Sequence, residues 1–239
     1  MASHMTAQPR RGSPSDTKRK LLEAAERLFA LHGIEAVSLR HITQAAEQRN
    51  ESALHYHFGS REALIEAIFE WRMAAIDAER NAMLDDLEAS GRQDDLRALI
   101  AAIVHPLSRP IRGEAGPNYY NRFLAEAQRS PNVAISQFVG GKYDRGVQRA
   151  FAAIGRRLGD LPERLVRQRF ATMLAGAIYG VADIETLMAR RQDEGRSFDV
   201  ERAIENLIDM AAAAMAAPVS PQTQARLDDE TTARAEDTP

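Results

Sequence analysis

The chain has 239 residues, 44% of them hydrophobic, enough to bury a sizeable core in one large or two small domains. With no cysteine, disulfides and thiolate metal sites are excluded. The net charge of −3 would speak against nucleic acid if it were spread evenly, but residues 1–62 carry +2 and the remainder −5, which suits a phosphate-facing front on an acidic body.

Met1 to His4, followed by Met5, read as a cloning remnant with the natural start at Met5. Residues 1–16 are expected to form a flexible basic arm. Its Arg10 and Arg11, with Lys18, Arg19 and Lys20, make the sharpest basic cluster in the chain. That cluster is either the solvated start of a helix or an arm for the minor groove. A first helix from about residue 17 puts Leu21, Ala25, Leu28, Phe29 and His32 on one face.

Ser38 can cap a second helix that buries Leu39, Ile42, Ala45 and Ala46 at spacings of three and four, leaving Arg40, Thr43 and Gln44 outward. A short third helix from Asn50 to Tyr56 offers Asn50, Glu51, Ser52, His55 and Tyr56 as outward hydrogen-bonding groups, held to the core by Ala53 and Leu54. Gly59 can end it, and Ser60 with Glu62 opens the next helix at Arg61. Two short helices around a tight turn with a polar-aromatic tip are the layout of a helix-turn-helix DNA reader.

The run Leu54-His55-Tyr56-His57-Phe58-Gly59-Ser60-Arg61-Glu62-Ala63-Leu64 resembles the L-Y-x-H-F-x-x-K-E-x-L signature of the TetR family of bacterial one-component regulators. Residues 21–42, LLEAAERLFALHGIEAVSLRHI, are similar to the family's first helix, glycine turn and second-helix start. Two departures stand out. The turn reads Ala46-Glu47-Gln48-Arg49, without the usual glycine and with one residue more before Leu54, and His55 replaces the first tyrosine of the usual pair. The resemblance implies an all-α fold, with a three-helix helix-turn-helix domain over residues 17–62 and a larger helical regulatory and dimerisation domain over 63–216. It also implies a homodimer on palindromic double-stranded operator DNA, released by a small-molecule effector. The expected DNA-facing residues are Lys18, Arg40, Thr43, Arg49, Asn50, Ser52, His55, Tyr56 and Arg61, with Arg40, Arg49 and Arg61 on phosphates.

Beyond the reader the pattern is a succession of amphipathic helices without strand-like alternation. The fourth, from Arg61, buries Leu64, Ile65, Ile68, Phe69, Trp71 and Ile76 and is long enough to link the two domains mechanically. Further helices are expected near 93–105, 118–129, 132–158, 162–191 and 199–216. The main loop is placed at Pro106 to Pro117, and a break in the 132–158 helix at Gly140-Gly141. The helix from Pro162 is apolar over most of its circumference, and the last carries Ile204, Leu207, Ile208, Ala211 and Met215. These two helices either complete the monomer core or, as the resemblance implies, form a four-helix dimer interface. The tail from Ala217 to Pro239 is acidic and rich in Pro and Thr, and is expected to be disordered.

Candidate effector contacts, chosen because aromatic and thioether groups dominate apolar pockets, are Trp71, Tyr119, Tyr120, Phe123, Phe138, Met173 and Tyr179, with Arg122 as the partner of an acidic ligand. No cofactor is expected. His55 and His57 point about 200° apart on a helix and are not expected to share a metal. Gly-x-Ser-x-Gly, phosphate-loop and HExxH spacings are absent, so an enzyme is not expected. The competing reading is a helical enzyme or scaffold with a vestigial DNA head, suggested by Glu47 and Glu51 on the DNA side. No apolar run approaches the roughly 18 to 20 residues of a membrane span, and the N-terminus has no signal-peptide core, so the cytoplasm is the expected location.

Overall fold

The computed structural model describes residues 14–48, 52–112, 118–133 and 140–236. Among these residues the chain is helical, with no strand. The head is built from α1 (Pro14–His32), α2 (Leu39–Ala45) and α3 (Ser52–Phe58). α4 (Arg61–Ala89) leads out of it into a body of α5 (Leu96–Arg112), α6 (Tyr120–Arg129), α7 (Arg145–Arg157), α8 (Glu163–Asp193) and α9 (Val200–Ala216), and α10 (Pro221–Glu236) follows.

Local chemistry fixes the head's boundaries. The Ser38 hydroxyl accepts from the His41 N–H at 3.2 Å and caps α2, and Ser60 does the same for α4 through Ala63 at 3.1 Å. Between α3 and α4, Gly59 adopts φ 77°, which turns the chain in two residues. Leu21, Ala25 and Phe29 of α1, Ile42 of α2, Leu54 of α3 and Leu64 and Ile68 of α4 then close one apolar core.

That core does not stop at the expected boundary after residue 62. It continues through Phe69, Tyr120 and Phe123 to Ile178 and Ala182 of α8, so α6 packs directly against α1. A second core joins Leu99 and Ile103 of α5, Ala150 and Ile154 of α7, Phe170 and Val181 of α8, and Ile204 and Ile208 of α9. Against the sequence expectation, α8 is long and apolar enough to cross a membrane on length and composition. It is packed among α5, α6, α7 and α9, with Val166, Ala177 and Val181 buried.

Three elements differ from the sequence reading. α5 runs on through Pro106 and Pro110 to Arg112, where a loop was expected from Pro106. Each proline removes one intrahelical donor, but burial of Leu107, Ser108 and Ile111 holds the last turns in place. Gly140 and Gly141 lie in a turn that precedes a helix starting only at Arg145. The tail expected to be disordered is helical from Pro221 to Glu236. Ser220 caps it, accepting from the Thr223 N–H at 3.3 Å, Pro221 takes the first helical position, and Arg164 of α8 donates to the Leu227 carbonyl.

Candidate functional site

The turn between α2 and α3 forms without glycine. Glu47 takes φ 57°, the left-handed conformation, while its N–H bonds the Gln44 carbonyl and the Gln48 N–H bonds the Thr43 carbonyl. Its carboxylate reaches back to Lys20 at 3.3 Å. Arg49, Asn50 and Glu51 lie outside the described residues.

α3 presents Ser52, His55 and Tyr56 to solvent, and Tyr56 is 84% exposed. The His57 ring meets it edge-on at 5.1 Å and leaves most of it open, although Leu54 two residues earlier is fully buried. The His55 ring nitrogen Nδ1 lies 3.0 Å from the Gly59 carbonyl, which can only accept, so Nδ1 carries the proton and Nε2 remains for an outside partner. Lys18 stands over the Phe58 ring at 5.8 Å, and Arg40 is exposed on α2. Lys18, Arg40, Ser52, His55 and Tyr56 are thus available to a ligand of the head.

Two expected DNA contacts are directed inward. Thr43 is 3% exposed and its hydroxyl donates to the Arg40 carbonyl at 2.9 Å. Arg61 donates Nη1 to the Ile34 carbonyl and Nη2 to the Val37 carbonyl, and its guanidinium lies over the Phe29 ring at 5.6 Å. Arg61 therefore anchors the α1–α2 turn, because two carbonyls there lack helical donors and only a forked cation reaches both.

The body holds a cavity of about 330 Å³ among α4, α5, α6, α7 and α8, at the lower end of small-molecule pockets. Its apolar wall includes Met73, Leu107, Leu124, Val147, Leu174 and Ile178, with Val133 beside them. Arg80, Gln128, Tyr143 and Asp144 supply the polar part. Arg80 is 1% exposed and stands 3.7 Å from Asp77, whose Oδ1 accepts from the Gly146 N–H at 2.9 Å and whose Oδ2 accepts from Asn81 at 3.0 Å. Burial pushes the Arg80 guanidinium down from its ordinary range. A Cβ on Gly146 would come within 2.9 Å of the Arg80 side chain, so glycine there lets α7 close over α4.

None of the described aromatic or thioether candidates lines this cavity. Phe123 and Tyr120 are core, Met173 belongs to the second core, and Tyr179 is exposed with its hydroxyl donating to the Ala125 carbonyl at 3.4 Å. Trp71 and Tyr119 border a separate, polar cleft of about 550 Å³ between head and body. Arg122 is already paired, donating to Glu185 at 2.8 Å beneath the Tyr119 ring. Phe138 lies outside the described residues. The missed signal is a charge on an apolar stripe: Met73, Ile76, Arg80, Leu84 and Leu87 share one face of α4.

Among the described residues, head and body are tied through side chains of α1, α4 and α6 and through the α1–α2 turn. Glu26 of α1, 3% exposed, accepts from Arg72 of α4 at 2.7 and 2.8 Å, with Arg72 lying 3.9 Å over the Trp71 ring. Burial pushes the Glu26 carboxyl up, and Arg72 pulls against it. Phe123 of α6 stacks on Phe29 of α1 at 6.1 Å and meets Phe69 of α4 at 5.2 Å. Beyond α6, Ser130 and Asn132 donate to Glu35 in the α1–α2 turn at 2.7 and 3.2 Å.

A three-helix reader whose short third helix shows a polar and aromatic face, carried on a body that is helical among the described residues and holds a pocket between its helices, defines a helix-turn-helix regulator. Residues 21–68 match the profile of "Bacterial regulatory proteins, tetR family", and residues 101–214 match "Tetracyclin repressor-like, C-terminal domain". The chain belongs to the TetR family of transcriptional regulators, and members of that family are not enzymes. It is 32% identical over 84 residues to the HTH-type transcriptional repressor AcnR of Corynebacterium glutamicum, a match spanning 31% of this chain and 44% of that repressor. The fold resembles an HlyIIR mutant with residues 170–185 replaced by alanine (TM-score 0.54, 14% identity, 86% and 98% of the two chains covered). It also resembles NalD, the secondary repressor of the MexAB-OprM multidrug efflux pump in Pseudomonas aeruginosa (TM-score 0.53, 16% identity, 84% and 98% covered).

Proposed function

We propose that this chain is a cytoplasmic repressor that binds a palindromic operator as a homodimer and leaves it when a small molecule enters the body cavity. The observation that carries the reading is the double duty of α6. Leu124 and Gln128 line the cavity, while Phe123 on the same helix stacks on α1 of the reader. The segment after α6 repeats the arrangement, since Val133 lines the cavity and its neighbour Asn132 holds Glu35 of the head. An effector that displaces α6 by a fraction of an ångström must repack the α1 contact, and the two sites are then coupled reciprocally.

At the DNA, Ser52, His55 and Tyr56 face the major groove while Lys18 and Arg40 hold phosphates. Arg49 and Asn50 belong to the same proposed surface by their place in the sequence. One seven-residue helix reads few base pairs, so a two-fold partner is needed for specificity. The outer faces of α8 and α9 suit that contact, with Met210 61% exposed beside exposed Ala213 and Ala214, and with Gly176 and Tyr179 exposed on α8.

Selection from sheared genomic DNA at moderate salt, followed by sequencing, tests the reading. An enriched palindrome is expected, with sedimentation giving a dimer. No enrichment before or after denaturing and refolding, which would strip a carried effector, would overturn it.

A further inference from the structure

Among the described residues, two polar groups on the cavity wall lack hydrogen-bond partners. Nε and Nη1 of Arg80 have no acceptor, and Oε1 of Gln128 has no donor. Asp77 balances the charge of Arg80 but does not satisfy its donors. At 3.7 Å it lies beyond hydrogen-bond reach, and both its oxygens are taken by Gly146 and Asn81. The nearby Asp144 is engaged by Gln148 at 2.7 Å. Leaving a buried guanidinium with unmet donors is costly, and such groups mark sites where an acceptor is supplied from outside the fold.

Apart from Tyr143, the rest of the wall is apolar. A ligand that matches both parts has a compact apolar body and one anionic end. We propose that the cavity selects an amphipathic monocarboxylate, its apolar body against Met73, Leu124, Leu174 and Ile178 and its carboxylate drawing the Arg80 guanidinium toward it, with the Gln128 amide turned to donate alongside. A carboxylate offers two acceptors in one plane, which is the geometry a guanidinium fork meets. This deepens the reading of the chain as an effector-released regulator and rests on it.

The test is calorimetric titration of the full chain at neutral pH with straight-chain carboxylates from hexanoate to dodecanoate and with phenylalkanoates. Each acid is compared with the alcohol and the primary amine of the same skeleton. At least one acid is expected to bind once per chain, with its alcohol roughly ten- to a hundredfold weaker and its amine weaker still. Arg80→Met should bring acid and alcohol to similar affinity. Should that chain not fold, Asp77→Asn with Arg80→Met removes the buried partner charge and is read in the same way. Acids that fail to bind, or that bind no better than their alcohols or amines, would overturn the proposal. Operator release is measured separately on the selected palindrome. Acid binding without release would remove the effector reading and leave the carboxylate site standing, whereas release by a neutral or cationic compound would do the reverse.

Discussion

Arg72 of α4 grips both carboxylate oxygens of Glu26 on α1, with Nε at 2.7 Å and Nη2 at 2.8 Å, across 46 residues of sequence. The pair is a bidentate clamp at the joint between reader and body. Removing one partner strands the other, so Arg72→Met or Glu26→Gln alone is expected to cost about 3 kcal/mol in chemical denaturation. The double substitution should recover most of that loss. Additive losses in the cycle would mean that the two groups do not act as a pair.

Glu47 occupies the left-handed region without being glycine, at a cost of about 1 to 2 kcal/mol, and its ion pair with Lys20 is too exposed to offset it. Glu47→Gly is expected to raise stability by up to about 1 kcal/mol, the unfolded chain's extra freedom taking back the rest. Operator affinity should rise as well, because an acid leaves the phosphate side. A fall in melting temperature would show that the carboxylate has another role.

Arg40 and Arg61 separate the reader's surface from its scaffold. Arg40→Ala should weaken operator binding across sequences and lower the salt slope by about one unit, with no change in melting temperature. Arg61→Ala should instead destabilise the fold by about 1 to 3 kcal/mol, since the Ile34 and Val37 carbonyls lose their donors. Tyr56→Ala leaves the fold intact and is expected to cost about 1 to 3 kcal/mol of operator binding with relaxed sequence preference. Competition titrations against operator and scrambled DNA at several salt concentrations distinguish these outcomes.

Burial holds the Glu185 carboxyl up to about 7 from its ordinary 4.5, with Arg122 and Asn121 pulling the other way. Between those values the native state keeps a proton that the unfolded chain has released. The stability this group contributes is therefore full below 4.5 and lost as pH rises through about 7. Glu185→Gln does not titrate, so its melting temperature relative to the parent should climb between about pH 5 and about pH 8. A constant difference across that window would contradict the raised value.

The helix-turn-helix was legible because its signals are local. Ser38 and Ser60 cap where their sequence context says they should, and the apolar spacing of Leu21, Ala25 and Phe29 is that of one helix face. The lining of the body cavity was not legible by residue type. Aromatics such as Phe123 serve the core that joins head to body, and the cavity is lined mainly by aliphatic side chains, with Met73 and Tyr143, around one buried arginine. In the tail, composition points to disorder, whereas Ser220 and Pro221 start a helix.

The sequence by itself determined the class of fold, the position of the reader and the order of the helices, since capping, periodicity and glycine turns act over a few residues. Tertiary structure decided which polar side chains face outward. Arg61 could be assigned to phosphate or to the Ile34 and Val37 carbonyls until α1 and α4 were brought together, and Arg80 becomes a buried cation only because Gly146 lets α7 close over it. Such assignments depend on contacts between residues distant in sequence, where desolvation and hydrogen-bond satisfaction outweigh local preference.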